Sequence, residues 1–183
     1  MEIGGGNMKI LVCENKHCKD HKTSELLEEL KNYDLEFSSS SCMDMCEGGP
    51  NIFTFPDLKM YGKVDKNRLE DIINHKAKGL EYNEEIYSLE DIKKYSFDPM
   101  HRRTVKLFRW HLEKHDDMSL LGLEEIIRTF QIKYDVYGNE FFNPIKVVLI
   151  NTIKGPNLSS IINYLGKNST MKVFDEFLKK SNQ

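Results

Sequence analysis

Four cysteines within the first 46 residues constrain this chain more than any other feature of its sequence. Their spacing is Cys13-x4-Cys18, then 23 intervening residues, then Cys42-x3-Cys46. Each pair follows a stretch that reads as a β-strand, so two strand-end loops would present the thiols. In a reducing compartment, clustered cysteines are more often metal ligands or redox groups than disulfides. A thioredoxin-type dithiol would need C-x-x-C, which the sequence does not contain.

Four thiolates from two neighbouring loops can surround one small inorganic cluster. Iron in such clusters prefers soft sulfur ligands, and four cysteines are the usual ligands of a [2Fe-2S] centre. Zinc also accepts four cysteines, although its structural sites usually have shorter, matched spacings. Zinc and unliganded buried thiols therefore remain the alternatives to an iron-sulfur cluster.

The first 76 residues predict the element order β-α-β-β-β-α. Strands are expected at 8–12, 35–37, 51–55 and 59–63, where apolar or β-favouring residues are bounded by turn residues such as Pro56-Asp57. Helices are expected at about 23–33 and 65–75, capped by Thr23 or Ser24 and by Asp65. This order indicates a compact α/β unit.

Residues 8–76 also resemble the thioredoxin-like [2Fe-2S] ferredoxins, a family that includes the small ferredoxin-like subunit of respiratory NADH dehydrogenase. The matching residues are Val12-Cys13, Cys18, Cys42-Met-Asp-Met-Cys46, Gly49-Pro50-Asn51, Pro56-Asp57 and Tyr61-Gly62. The resemblance implies a thioredoxin-like ferredoxin fold, with Cys13, Cys18, Cys42 and Cys46 as ligands of a [2Fe-2S] cluster. It further implies a redox partner protein and, since relatives can dimerise, a homodimer.

The second half of the chain reads as helical. Apolar residues recur at helical spacing in 101–115 and 120–132, a turn is expected at 137–139, and Pro144 fits the first turn of a helix to about 150. Two more helices are expected at 157–165, stopped by Gly166, and from Ser169 or Thr170 to about 180. The expected architecture is therefore an α/β thioredoxin-like ferredoxin domain followed by an all-α domain.

Residues 141–178 resemble the C-terminal, anticodon-binding region of glutamyl-tRNA synthetases. The matching stretches are Phe141-Phe-Asn-Pro144-Ile-Lys146, Gly155-Pro156, Leu165-Gly166-Lys167 and Phe174. Lys146 stands where that family usually has Arg, which keeps the charge but loses the forked hydrogen-bonding geometry. The adenylate motifs of the synthetase catalytic domain do not occur in the sequence. The resemblance implies an RNA contact that includes Lys146.

Residues 101–115 add basic and aromatic side chains to this reading. Arg102, Lys106 and Arg109 are three to four residues apart and would share one helical face. That face could contact RNA phosphates or simply be solvated, and Trp110 could stack on a base or pack against the protein. His111 and His115 have the spacing of a metal-ligand pair but lack a clear third ligand.

The N-terminus has no basic region followed by an apolar stretch, and no apolar run reaches the ~18–20 residues of a membrane span. We therefore expect a soluble, cytoplasmic protein without a membrane contact. Residues 1–86 carry 11 basic and 17 acidic residues, whereas residues 87–183 carry 15 and 12, so only the second part is mildly basic. That charge permits a nucleic-acid partner without indicating one.

The expected organisation is a leader at 1–7, a ferredoxin domain at 8–78, a linker at 79–97 and a helical domain at 98–183. The first functional hypothesis is a [2Fe-2S] electron-transfer or redox-sensing protein that is not an enzyme. One alternative is a tRNA- or RNA-binding accessory protein whose cluster is structural or regulatory. Another is the iron-sulfur subunit of a larger oxidoreductase.

Overall fold

A computed structural model of the protein describes residues 8–16, 18, 22–43, 49–75 and 98–180. The chain divides into two compact units. The first comprises Met1–Asn83 and Lys154–Asn157, and the second comprises Glu84–Ile153 and Leu158–Gln183. The expected leader at 1–7 and linker at 79–97 lie outside the described residues, so the domain boundaries stay predictions.

The first unit is built on a mixed four-stranded sheet. Its elements are β1 (Lys9–Cys13), α1 (Thr23–Leu30), β2 (Glu36–Ser40), β3 (Ile52–Phe55), β4 (Lys59–Tyr61) and α2 (Lys66–Ile73). The strand order is β2-β1-β3-β4, with β1 parallel to β2 and antiparallel to β3, and β3 antiparallel to β4. Because parallel neighbours need a crossover, α1 joins β1 to β2. This topology confirms the predicted thioredoxin-like α/β fold.

Both helices of the first unit pack on the sheet through a shared apolar core. Residues two apart in a strand point to one face, which places Ile10 and Val12 of β1 together in this core. Leu26 and Leu30 of α1 and Leu69 of α2 are buried against them. Asp65 caps α2 as predicted, because its carboxylate accepts the Arg68 N–H at 2.8 Å.

The described residues of the second unit form the helices α3 (Pro99–Glu113), α4 (Leu120–Tyr134), α5 (Gly138–Ile150) and α6 (Leu158–Lys180), joined by short connections. Each helix contributes one fully buried phenylalanine to a common cluster. The ring of Phe108 lies 5.2 Å from those of Phe130 and Phe141 and 6.2 Å from that of Phe174, with edge-to-face orientations. Such pairs contribute about 0.5–1.5 kcal/mol each beyond their buried area. The predicted all-α second part is confirmed.

Two helix boundaries in this unit differ from the sequence prediction. The expected turn at 137–139 is the start of α5, whose N-cap is Tyr137, and Pro144 lies inside the helix rather than in its first turn. An interior proline removes one backbone hydrogen bond but is compatible with a helix whose other turns are well packed. The two helices expected at 157–165 and from Ser169 or Thr170 to about 180 are both present within α6, which is interrupted at Gly166, where the backbone angles are not helical.

Gly166 produces the kink in α6. Its φ of 73° and ψ of 162° belong to a region of backbone space that is essentially restricted to glycine. No atom lies within 4 Å of where a Cβ would be, so the requirement is conformational rather than spatial. The next residue, Lys167, donates through Nζ to the His115 carbonyl at 2.5 Å and to Asp116 Oδ1 at 2.8 Å. The kink therefore directs α6 so that Lys167 holds the loop between α3 and α4.

None of the helices in the described ranges combines the length and the apolar character needed to span a bilayer.

We predict that Gly166→Ala lowers the free energy of unfolding by about 1–3 kcal/mol, because alanine would be forced into this glycine-specific conformation. Urea unfolding followed by circular dichroism measures the change. Asn168→Ala is the matched control, since it is an exposed helical position two residues away and should change stability by less than about 0.5 kcal/mol. Equal effects of the two substitutions would contradict the conformational argument.

Candidate functional site

Strand pairing brings the two cysteine-bearing loops to the same edge of the sheet. Cys13 is the last residue of β1 and pairs with Ser40, the last residue of β2. Because the two strands are parallel, their C-terminal ends lie at the same edge of the sheet. Cys42 follows Ser40, the last residue of β2, by two residues. The Cys13 side chain is buried, whereas Cys42 is partly exposed.

Thr23 ties the first cysteine loop together. Its Oγ1 hydroxyl donates to the Cys18 carbonyl at 2.7 Å and lies 3.4 Å from the Cys13 carbonyl oxygen. Thr23 is fully buried and is the first residue of α1. The N-cap position is occupied by Lys22, whose side chain makes no capping hydrogen bond. The predicted capping role of Thr23 is therefore wrong, because its hydroxyl is used by the loop that carries Cys13 and Cys18.

Asn51 connects the cysteine loop to β3. Its Nδ2 amide donates to Cys18 Sγ at 3.6 Å, and its backbone carbonyl accepts the Cys13 N–H at 3.0 Å. Both Asn51 and Cys18 are fully buried. An N–H donor aimed at sulfur stabilises negative charge there, and such hydrogen bonds tune the potential of thiolate-bound clusters.

The donor types suit an iron-sulfur cluster, because cysteine thiolates are its usual ligands, the strands that precede Cys13 and Cys42 end at the same edge of the sheet, and the Cys18 sulfur accepts a buried N–H donor. The fourth expected ligand, Cys46, lies outside the described residues. Within those residues, no group of three or more His, Cys, Asp or Glu side chains is close enough to hold a metal ion. The ligand set of Cys13, Cys18, Cys42 and Cys46 therefore stays a prediction.

The residue after Cys42 is hydrogen-bonded to the Gly-Pro segment, which belongs to the stretch that resembles the synthetases. Met43 is fully buried, and its carbonyl accepts the Gly155 N–H at 3.2 Å. Gly155 belongs to Lys154–Asn157, the stretch of late sequence that is part of the first unit. The second cysteine loop and this segment thus share a backbone hydrogen bond.

The predicted RNA-contacting residues differ widely in their environments. Arg109 forms a two-pronged ion pair with Asp175 of α6, with its Nε and Nη2 atoms 2.9 and 3.3 Å from the two carboxylate oxygens, and its Nη1 lies 2.6 Å from Glu113. Arg102 donates through Nη2 to the Leu178 carbonyl at 3.3 Å, and Lys146 is buried in α5. Lys106 is exposed. The RNA contact of these four residues stays a prediction, but the structure shows that Arg102 and Arg109 hold α6.

A different face of α3 points outward. It carries the exposed side chains of Arg103, Lys106 and Trp110, with Lys114 directly after the helix. The Lys106 ammonium lies over the Trp110 ring, 5.0 Å from its centroid. Sequence reasoning missed Arg103 and Lys114. The signal that could have found them is their angular position on the helical wheel, about 120–140° away from the buried Phe108.

His111 and His115 belong to the packing of α3 against α4. The His111 ring is buried, lies 3.2 Å through Nε2 from Thr129 Oγ1, and contacts the rings of Phe130 and Tyr134. The His115 ring lies 4.9 Å away. Burial, reinforced by the nearby charge of His115, lowers the pKa of His111 below its ordinary value. His111 is therefore best explained as part of the core, with His115 at its margin.

The model of the family described as the anticodon binding domain matches residues 65–177. This match covers more than half of the chain, so the chain belongs to that family.

Two curated relatives carry names that agree with the family. The chain is 26% identical over 141 residues to glutamate–tRNA ligase 2 of Caldanaerobacter subterraneus subsp. tengcongensis. The matched region covers 67% of this chain and 29% of that relative. It is 29% identical over 149 residues to glutamate–tRNA ligase of Mycoplasma genitalium, which covers 72% of this chain and 29% of the relative. The chain thus spans under a third of each relative, and the resemblance to the anticodon-binding region is confirmed.

One similar solved structure is the 1.5 Å crystal structure of the wild-type thioredoxin-like [2Fe-2S] ferredoxin from Aquifex aeolicus. It is 16% identical, covers 42% of this chain and 94% of that chain, and has a TM-score of 0.35. The thioredoxin-like fold of the first unit rests on its own strand order, described above.

The prediction that the chain is not an enzyme is wrong. Both curated relatives are named as ligases, which are enzymes, and this chain matches their anticodon-binding part. The absence of catalytic motifs from these 183 residues does not decide the class of the protein, because the match covers only 29% of each relative.

We predict that the second unit loses stability as the pH falls below about 6.5. The unfolded chain then binds a proton at residue 111 before the folded chain does, since the folded pKa of His111 is lowered from 6.5. Urea unfolding at pH 7.5 and pH 5.5 should show a smaller pH effect in His111→Phe than in the parent protein. An unchanged pH effect in His111→Phe would refute the assignment.

Proposed function

We propose that this protein binds tRNA through its helical unit, in the manner of the anticodon-binding part of a glutamate–tRNA ligase. The observation that carries the proposal is the family match over residues 65–177. The helical packing supports it, because one phenylalanine from each of four helices makes a rigid scaffold for surface contacts. The anticodon loop is single-stranded RNA, the form that proteins most often recognise by sequence.

We further propose that Cys13, Cys18, Cys42 and Cys46 hold a [2Fe-2S] cluster in a reducing compartment such as the cytoplasm. The common sheet edge of β1 and β2 and the Asn51 hydrogen bond to Cys18 support this ligand set. When bound, such a cluster takes up one electron at a time. The protein's own residues supply the thiolates, the N–H donor to sulfur and the buried Thr23 hydroxyl that fixes the loop.

The cluster would serve RNA binding in a structural or regulatory way. The hydrogen bond between the Met43 carbonyl and Gly155 joins the Cys42 loop to the Gly155-Pro156 motif of the synthetase-like sequence. A change in the cysteine loop therefore acts directly on that segment. Electron transfer as the main role, a redox partner and a homodimer have no comparable support.

The first test is binding of the full chain to tRNA specific for glutamate, measured by fluorescence anisotropy at several salt concentrations. We expect saturable binding that weakens with salt, with a log–log slope of about −0.7 to −0.9 for each phosphate neutralised. The chain has a net charge of −3, which disfavours non-specific attraction to phosphates. It should therefore bind a DNA duplex of equal length much more weakly than the tRNA. Absence of tRNA binding, or equal affinity for the DNA duplex, would refute the proposed function.

The second test concerns the cluster. Protein purified without oxygen should contain iron and acid-labile sulfide and should bleach reversibly with dithionite. Cys18→Ser should strongly reduce the iron and sulfide content per chain, because it removes a buried ligand. Ser41→Ala, at the exposed position next to Cys42, should not reduce it. Colourless protein that binds zinc would refute the cluster while leaving tRNA binding intact.

A further inference from the structure

The outward face of α3 concentrates positive charge around an exposed aromatic side chain. Arg103, Lys106 and Trp110 recur at intervals of three and four residues, and Lys114 continues the row after the helix ends. The row extends over about 16 Å, given a rise of about 1.5 Å per residue. Trp110 is 47% exposed and is the only tryptophan in the chain.

The cations of this face are available to a ligand. Within the described part of the chain, Arg103, Lys106 and Lys114 form no ion pair. The acidic residue next to them, Glu113, is already held by Arg109 at 2.6 Å. The second unit's other ion pairs leave this row of three cations uncompensated, so it presents a net positive surface.

Lys106 and Trp110 form a prepared pair on this surface. The ammonium lies over the indole at 5.0 Å from its centroid, a distance at which cation–π attraction restrains both side chains. Along the helix, cations precede and follow the large aromatic ring of Trp110. This arrangement suits a ligand in which planar rings alternate with negatively charged groups. Unpaired nucleotides have that chemistry, because each offers a π-face and a phosphate.

We propose that the outward face of α3 is the contact surface for unpaired RNA nucleotides, with one base stacked on Trp110 and the flanking phosphates bound by Arg103, Lys106 and Lys114. This assignment rests on the proposed tRNA binding and names where it occurs. It differs from the stripe read from the sequence, since Arg102 and Arg109 are occupied by α6. Paired RNA is excluded from stacking in this way because its bases are covered by their neighbours.

The single tryptophan makes the stacking directly measurable. Titration of the full chain with an anticodon stem–loop RNA should quench Trp110 fluorescence in a saturable manner, whereas the same RNA fully paired to its complement should not. Trp110→Ala should weaken stem–loop binding about tenfold or more, the usual effect of losing one base–aromatic stack. Trp110→Phe should restore much of the affinity, because a phenyl ring also stacks.

Charge variants test the phosphate contacts. Arg103→Ala and Lys106→Ala should each reduce the salt slope by about 0.7, the value for one phosphate contact on a single strand. Lys133→Ala is the matched control, because Lys133 is an exposed lysine whose ammonium lies 5.3 Å from the Tyr134 ring on α4. It has the same local chemistry outside the proposed surface and should leave the slope nearly unchanged.

The outcomes separate this inference from the function on which it rests. If the parent protein binds tRNA but Trp110→Ala and Lys106→Ala bind it equally well, the α3 surface is wrong and the proposed function stands. If the parent protein binds no tRNA, both are overturned. If anionic phospholipid vesicles shift Trp110 fluorescence and the stem–loop does not, the surface binds membranes rather than RNA and the inference is also overturned.

Discussion

The position of Phe108 determines most of what the second unit can do. Its ring meets a phenylalanine from each of the other three helices, so α3 cannot rotate without separating at least one of these contacts. With Phe108 inside, a helical advance of about 100° per residue puts Trp110 on the opposite side of α3. The same advance turns Arg109 toward Asp175 of α6. The burial of this one ring thus determines which neighbouring side chains of α3 contact the rest of the unit and which face outward.

The sequence predicted the fold well where local signals and periodicity agree. The apolar run in β1, the Asp65 cap and the apolar spacing in α3 all lead to the observed elements. It failed where tertiary packing overrides local preference, as at Pro144, which lies inside α5 rather than at its start. Gly166 was correctly predicted to interrupt the helix, and its non-helical backbone angles confirm the break.

The candidate sites were less predictable, because spacing along a helix does not say which face is buried. Arg102, Lys106 and Arg109 are as evenly spaced as Arg103, Lys106 and Trp110, and both sets read as one stripe. The distinction depends on Asp175 and on the carbonyl of Leu178, which are more than sixty residues away in sequence. For the cysteines, the spacing alone suggested two loops, and the parallel register of β1 and β2 supplies the shared edge.

Within the first unit, a backbone hydrogen bond joins the loop that follows Cys42 to the Gly155-Pro156 motif. Met43 follows a proposed cluster ligand, and its carbonyl holds Gly155 of the Gly-Pro motif. A buried backbone acceptor that loses its donor costs about 1–3 kcal/mol, which is large relative to the stability of a small domain. A cysteine loop that rearranges on losing its cluster would therefore disturb the Gly155 segment as well. This physical link would let the proposed iron-sulfur cluster serve the proposed RNA binding without requiring that electrons pass to any partner.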